Sequence, residues 1–134
     1  MKLLNTNQIG KTGRFGEDAA YSYLTNLGYE ILGRNVVCDG HEIDIIACDI
    51  KYVVFVEVKT RTAYHGLSRF GSAASAVDRN KQRSIISASK SYLKQTKIRR
   101  VPRFDVIEVY VNKSESGLSI EKINHIPRAF GSGR

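Results

Sequence analysis

The apolar positions along the chain change period several times, and each change marks a predicted element. Counting from Glu17 at about 100° per residue, Ala20, Tyr23, Leu24 and Leu27 gather in one arc, and Gly28 follows at a usual stopping position. A helix of roughly three turns is predicted there. β-Branched and aromatic residues then dominate residues 29–38, 42–47 and 52–59, with short connections, which predicts three strands. Residues 62–72 hold Gly66 and Gly71 among few aliphatics and are expected to form a mobile loop. A second helix over 77–96, a strand over 104–111 and a weaker strand over 118–126 complete the order αβββαββ. That order implies an α/β fold, a mixed sheet with helices packed against it. Residues 1–12 and 131–134 read as frayed ends of a single domain.

Composition narrows the partners. Lys and Arg number 21 against 13 for Asp and Glu, a formal charge of +8 on 134 residues, and a field of that sign concentrates a polyanion. A 42% hydrophobic content with 25% charged residues excludes wholesale disorder. No apolar run approaches the ~20 residues that span a bilayer. Residues 1–8 turn polar too early for a signal-peptide core, so a cytoplasmic location with no membrane partner is expected. Cys38 and Cys48 lack zinc-ligand spacing and read as buried small apolar residues.

The second and third strands are apolar on both faces, as central strands are, yet they carry Glu42, Asp44, Glu57 and Lys59. A hairpin turning about Ile50-Lys51 sets Asp44 opposite Glu57 and Glu42 opposite Lys59, crowding all four onto one patch of one face. Opposed carboxylates repel unless a proton or a cation lies between them. A divalent metal meets that need, and oxygen ligands without His or Cys favour Mg2+ or Mn2+. Lys59 would then position water or stabilise developing negative charge. The alternative is a Glu42–Lys59 and Asp44–Lys59 salt-bridge network without catalysis. Spacing alone leaves both open.

Asp44 followed after a hairpin by Glu57-Val58-Lys59 resembles the signature of the PD-(D/E)XK nuclease superfamily. The wider pattern resembles the YraN-like proteins, which are similar to archaeal Holliday junction resolvases. It comprises residues 13–20, 42–46, 54–61, 81–83, 103–106 and 129–130, nearly the whole length. Two features depart from it: His41 stands where such sequences usually carry Gly, and the loop after Arg61 is longer. The resemblance implies a restriction-endonuclease-like fold. It also implies metal ligation by Asp44, Glu57 and the Val58 carbonyl, with Lys59 near the attacking water.

Helix residues supply further candidates. Glu17 lies beside the first apolar arc, and the resemblance places it toward the carboxylates; otherwise it merely complements the helix dipole. Gln82 falls within the apolar arc of Ile85, Ile86, Ser89, Tyr92 and Leu93. It would bind the attacking water or a scissile phosphate, as the similar residue does in junction resolvases, or be a satisfied amide near a helix start. Arg79, Arg83, Lys90, Lys94 and Lys97 span about 60° of the same wheel, which suits a phosphate track or a solvated face. Arg99, Arg100 and Arg103 extend the basic region, and Arg61, His65 and Arg69 would close over a bound strand. His65 and His125, as isolated histidines, read as surface or core residues. Aromatics interleave poorly with the cations along the chain, so base stacking is not indicated.

The favoured function is Mg2+- or Mn2+-dependent hydrolysis of DNA phosphodiesters, with branched structures among the candidate substrates. The alternatives are a non-catalytic nucleic-acid-binding protein of the same fold and a basic protein that binds acidic protein or ribosomal partners. A homodimer is expected if two strands are cut symmetrically.

Overall fold

The computed structural model describes residues 10–62 and 77–131. Its elements are α1 (Lys11–Asn26), β1 (Glu30–Cys38), β2 (His41–Cys48), β3 (Tyr52–Thr62), α2 (Arg79–Thr96), β4 (Val101–Ser114) and β5 (Gly117–Phe130). The predicted order αβββαββ is observed. The sheet runs β1-β2-β3-β4-β5, antiparallel except for β3 and β4, which α2 connects as a parallel crossover.

Local chemistry explains the hairpins. Asp39 and Gly40 both adopt positive φ, 54° and 77°, in the two-residue turn between β1 and β2, the conformation an Asp-Gly pair tolerates. Between β2 and β3 the Asp49 carboxylate accepts hydrogen bonds from the backbone N–H groups of Lys51 and Tyr52, which closes a turn without glycine.

The two faces of the sheet are covered separately. Ala20 and Leu24 of α1 pack on Ile45, Ala47, Val54, Val56, Val58, Ile107, Val109 and Val111. Ile85 and Ala88 of α2 pack on Ile46, Val53, Phe55, Phe104 and Val106. Because both faces of β3 are buried, its sequence is nearly continuously apolar rather than alternating. Cys38 and Cys48 are buried free thiols, as expected.

Helix α1 begins at Lys11, so the expected fraying through residue 12 and the later helix start are both corrected. Gly13 and Gly16 weaken the local helix signal, and tertiary packing overrides it. Gly16 is buried where α1 crosses β3, and a Cβ there would meet Thr60 Oγ1 at 2.0 Å and Thr60 Cβ at 3.0 Å. Rotating the hydroxyl away leaves the crowding at Thr60 Cβ, which moves only with the strand. Gly16→Ala is therefore expected to destabilise the fold by about 1–3 kcal/mol. Urea denaturation checks this, and an unchanged midpoint would contradict the close packing.

Strands β3, β4 and β5 each extend beyond their predicted limits. The expected mobile loop, with His65, Gly66, Arg69 and Gly71, lies outside the described residues apart from Thr62, which ends β3.

Candidate functional site

The β2–β3 ladder has the register predicted from the hairpin, with Ile45 opposite Val56 and Cys48 opposite Val53, but it ends at Ile45. The next rung is replaced by a side chain: Asp44 Oδ2 accepts from the Val58 backbone N–H at 2.8 Å. The strands part where the carboxylates lie, and the freed donor is satisfied by one of them.

Side chains alternate along β3, so Glu57 and Lys59 point to the α2 face with Phe55, while Val56 and Val58 face α1. Glu57 is only 5% exposed. Its Oε2 lies 3.4 Å from Lys59 Nζ and 3.8 Å from Lys81 Nζ, and its Oε1 is buried with no hydrogen-bond partner among the described residues. Burial first, then the Glu57 charge, push the Asp44 carboxyl well above the ordinary carboxylate range, against the opposing hydrogen bond from Val58. Among the described residues Asp44 forms no ion pair.

Glu17 and Glu42 meet at Asn35. Its amide donates to Glu17 Oε1 at 3.2 Å and to Glu42 Oε2 at 2.9 Å. Asn35 lies in β1 between the rungs Arg34↔Ile45 and Val36↔Ile43, with φ at 50°, a left-handed conformation asparagine tolerates better than most residues. Burial pushes the Glu17 carboxyl up, the Asn35 hydrogen bond opposes this, and the Glu42 charge adds to it. Glu17 also adds to the field at Asp44, so α1 contributes to the same cluster. It sits in the second turn of α1, too far inside for the helix-dipole reading.

The ion pairs differ from the network considered from the sequence. Glu42 pairs with Asn35 rather than Lys59, and Lys59 pairs with Glu57 rather than Asp44. Lys81, from the first turn of α2, is a residue the sequence reading left without a role. It falls within the helix arc that carries Ile85, Ala88 and Tyr92, which was the available signal. Gln82, the residue singled out there, donates its amide to the Val77 carbonyl at 2.8 Å. That contact is the satisfied-amide alternative. Asn35 was also overlooked, although an asparagine inside an apolar strand is itself a signal.

The inner face of α2 carries buried Ile85, Ala88 and Ser89, while Arg79, Arg83, Lys90 and Lys94 are exposed. Lys97, at the left-handed C-cap, continues their line. None of the five is ion-paired to a described residue. Arg61 sits in β3 beside Tyr110 of β4. Arg69 and His65 lie outside the described residues.

A different network surrounds Asp105, which is fully buried. It accepts from Arg103 Nε and Nη2 at 3.0 and 2.8 Å and from the Arg128 backbone N–H at 3.1 Å, and its Oδ2 lies 2.7 Å from His125 Nε2. His125 is thus a core residue with a partner, in keeping with its sequence reading. Burial alone would raise the Asp105 carboxyl, but the hydrogen bonds from His125 and Arg103 outweigh it and hold it below the ordinary range.

The described residues contain no set of three or more His, Cys, Asp or Glu side chains placed to hold a metal ion on their own. Glu57 Oε1, which has no hydrogen-bond partner among the described residues, and Asp44, which accepts from the Val58 N–H but forms no ion pair among them, nonetheless fit a hard cation, which commonly takes only one or two carboxylates and completes its shell with water and phosphate oxygens. No described helix is long and apolar enough to cross a membrane.

A five-stranded mixed sheet between two helices, with acidic and lysine side chains collected where two central strands separate, matches the restriction-endonuclease-like architecture. The chain belongs to the family described as "Uncharacterised protein family UPF0102", whose model matches residues 16–109. It is 42% identical over 131 residues to a UPF0102 protein of Caldanaerobacter subterraneus subsp. tengcongensis, covering 97% of this chain and 100% of that one. A UPF0102 protein of Geobacter metallireducens is 45% identical over 119 residues, 88% of this chain and 90% of its own. One from Clostridium botulinum is 42% identical over 115 residues, 84% and 90% of the two chains.

Proposed function

We propose that this chain is a metal-dependent endonuclease of PD-(D/E)XK type, similar to Holliday junction resolvases, that hydrolyses DNA phosphodiesters, with branched DNA among its substrates. One observation carries the reading. Among the described residues Glu17, Glu42, Asp44 and Glu57 gather in one cluster, with Lys59 and Lys81 paired to Glu57 and the Arg34 charge acting on Glu17. Burying carboxylates that repel one another costs stability, which points to a role the fold alone does not require.

Asp44, Glu57 and the Val58 carbonyl are the groups that would hold Mg2+ or Mn2+, and the bound ion supplies Lewis-acid polarisation of a phosphate oxygen. Lys59, held by Glu57, orients water and stabilises negative charge developing on the phosphate. Lys81 neutralises the same carboxylate from the helix side. Glu17 supports the cluster through Asn35. The stripe from Arg79 to Lys97, with Arg61, binds phosphates without reading sequence.

A second reading, DNA binding without cleavage, is favoured by that exposed stripe, which needs no catalysis to bind backbone. End-labelled duplex and four-way junction DNA, incubated with Mg2+ or Mn2+ and separately with a chelator, tests both. Strand scission only with metal is expected. Binding without scission under every metal condition would overturn the nuclease reading and leave the second.

A further inference from the structure

Along the sequence the aromatics and cations scarcely interleave, but the fold brings them together at the end of the sheet away from the carboxylates. Tyr52 opens β3, five residues or about 17 Å from Glu57 along the strand. Its ring has the Arg103 guanidinium 4.9 Å away, Arg128 at 5.1 Å and Lys51 Nζ at 5.2 Å. Arg128 also donates to the Tyr52 hydroxyl, and Arg103 donates to the Tyr29 hydroxyl at 2.7 Å. Beside them Pro102, Arg103, Phe104, Arg128, Phe130 and Gly131 line a cavity of about 410 Å³, within the size range of small-ligand sites.

This corner is rigidly built. The Arg103 side chain is 10% exposed and is gripped on two nitrogens by Asp105, yet its Nη1 makes no hydrogen bond with a described residue. Between the rungs Phe104↔Phe130 and Val106↔Ile126 the β4–β5 register shifts, so Asp105 faces an expanded stretch of β5. Arg128 sits in that stretch with φ at 56°, a conformation an arginine adopts at an energetic cost, and its backbone N–H is held by Asp105. The bulge and the Asp105 contact fix this backbone, and they set the Arg128 side chain at the cavity's edge.

We propose that this cavity takes one unpaired nucleotide of a nucleic-acid strand, its phosphate on Arg128 and Arg103 and its base against the aromatic ring of Phe130. Guanidinium pairs match phosphate oxygens in a planar fork, and an aromatic wall accepts any base, so the contact recognises single-stranded character rather than sequence. It rests on the nucleic-acid partner proposed above but not on cleavage. A site for an unpaired nucleotide at the far end of the sheet from the carboxylates selects nucleic acid with single-stranded segments over intact duplex.

The test uses metal-free binding, so failure of the nuclease reading leaves it intact. Fluorescence anisotropy with labelled oligothymidylate and with a blunt duplex compares the unaltered chain with Arg128→Gly, which removes the guanidinium and relieves the positive φ. Phe130→Leu, which keeps apolar bulk but removes the aromatic face and leaves the backbone unchanged, is the second variant. Both are expected to lose affinity for oligothymidylate on the order of tenfold while duplex binding stays within about twofold. Arg128→Gly should melt no lower than the unaltered chain. Equal weakening toward both probes, or unchanged oligothymidylate affinity in both variants, would overturn the proposal. Displacement of the oligonucleotide by polyaspartate at matched charge would also overturn it, leaving a general anion patch.

Discussion

Asp44→Asn is expected to reduce metal-dependent DNA cleavage by several orders of magnitude while the chain stays folded and still binds DNA. The substitution keeps the shape and retains an oxygen that can accept from the Val58 N–H, so the device that ends the β2–β3 ladder survives. It removes the negative charge that burial and Glu57 make unfavourable, and without metal the variant is expected to be more stable by on the order of 1 kcal/mol. Stabilisation by Mn2+, which mass action makes visible as a rising melting temperature, should shrink or vanish in the variant. Thermal melts of both chains with and without Mn2+, beside cleavage assays, check each part. An unaltered chain indifferent to Mn2+, with a variant clearly less stable than it, would show that Asp44 serves the fold and not a metal.

Asp105→Asn should produce the largest loss of stability, about 3–5 kcal/mol, because it leaves the mostly buried Arg103 guanidinium without its counter-charge. The same carboxylate also serves His125 and the Arg128 backbone N–H, so the start of β4, the end of β5 and, through the His125 contact with the Tyr23 hydroxyl, α1 loosen together. Against the 5–15 kcal/mol of a typical domain, such a loss brings the chain close to unfolding. The pH dependence follows from the lowered Asp105 carboxyl. Its stabilisation is complete above the ordinary carboxylate range near pH 4 and is lost as pH falls through the lower value it has in the folded state. Urea denaturation from pH 7 downward should therefore show a steep acid loss in the unaltered chain and a flatter one in the variant. A difference below about 1 kcal/mol at pH 7 would contradict this account.

The order of elements was legible because strand and helix periods are local properties. The three early strands, the long second helix and the αβββαββ order all follow from side-chain spacing and turn residues. The central pair of carboxylates was legible for a related reason. Charge in a strand buried on both faces stands out against its apolar neighbours, and a short hairpin allows few registers, so the spacing alone sets Asp44 and Glu57 at the same level.

What the spacing did not decide were the partners. Two charges on one face of a strand do not say which of several nearby groups will neutralise them, since that depends on where a helix from elsewhere in the chain ends. Lys81 reaches Glu57 because the crossover brings the first turn of α2 within side-chain reach of β3, and Glu42 turns to Asn35 because β1 lies on its other side. The start of α1 was hidden for a similar reason: Gly16 lowers helix propensity locally but permits the contact with Thr60 that seats the helix. Arg103, Asp105 and His125 are spread over the last third of the chain, and Tyr29 and Tyr52 lie far upstream. Only the parallel pairing of β3 with β4 and the shifted pairing of β4 with β5 bring them into one corner. Local sequence thus determined which elements form and which strand carries anomalous charge, because those depend on neighbours along the chain. The tertiary structure decided which charges meet and where cations stack on aromatics, because those contacts join residues that only the closed sheet brings within reach.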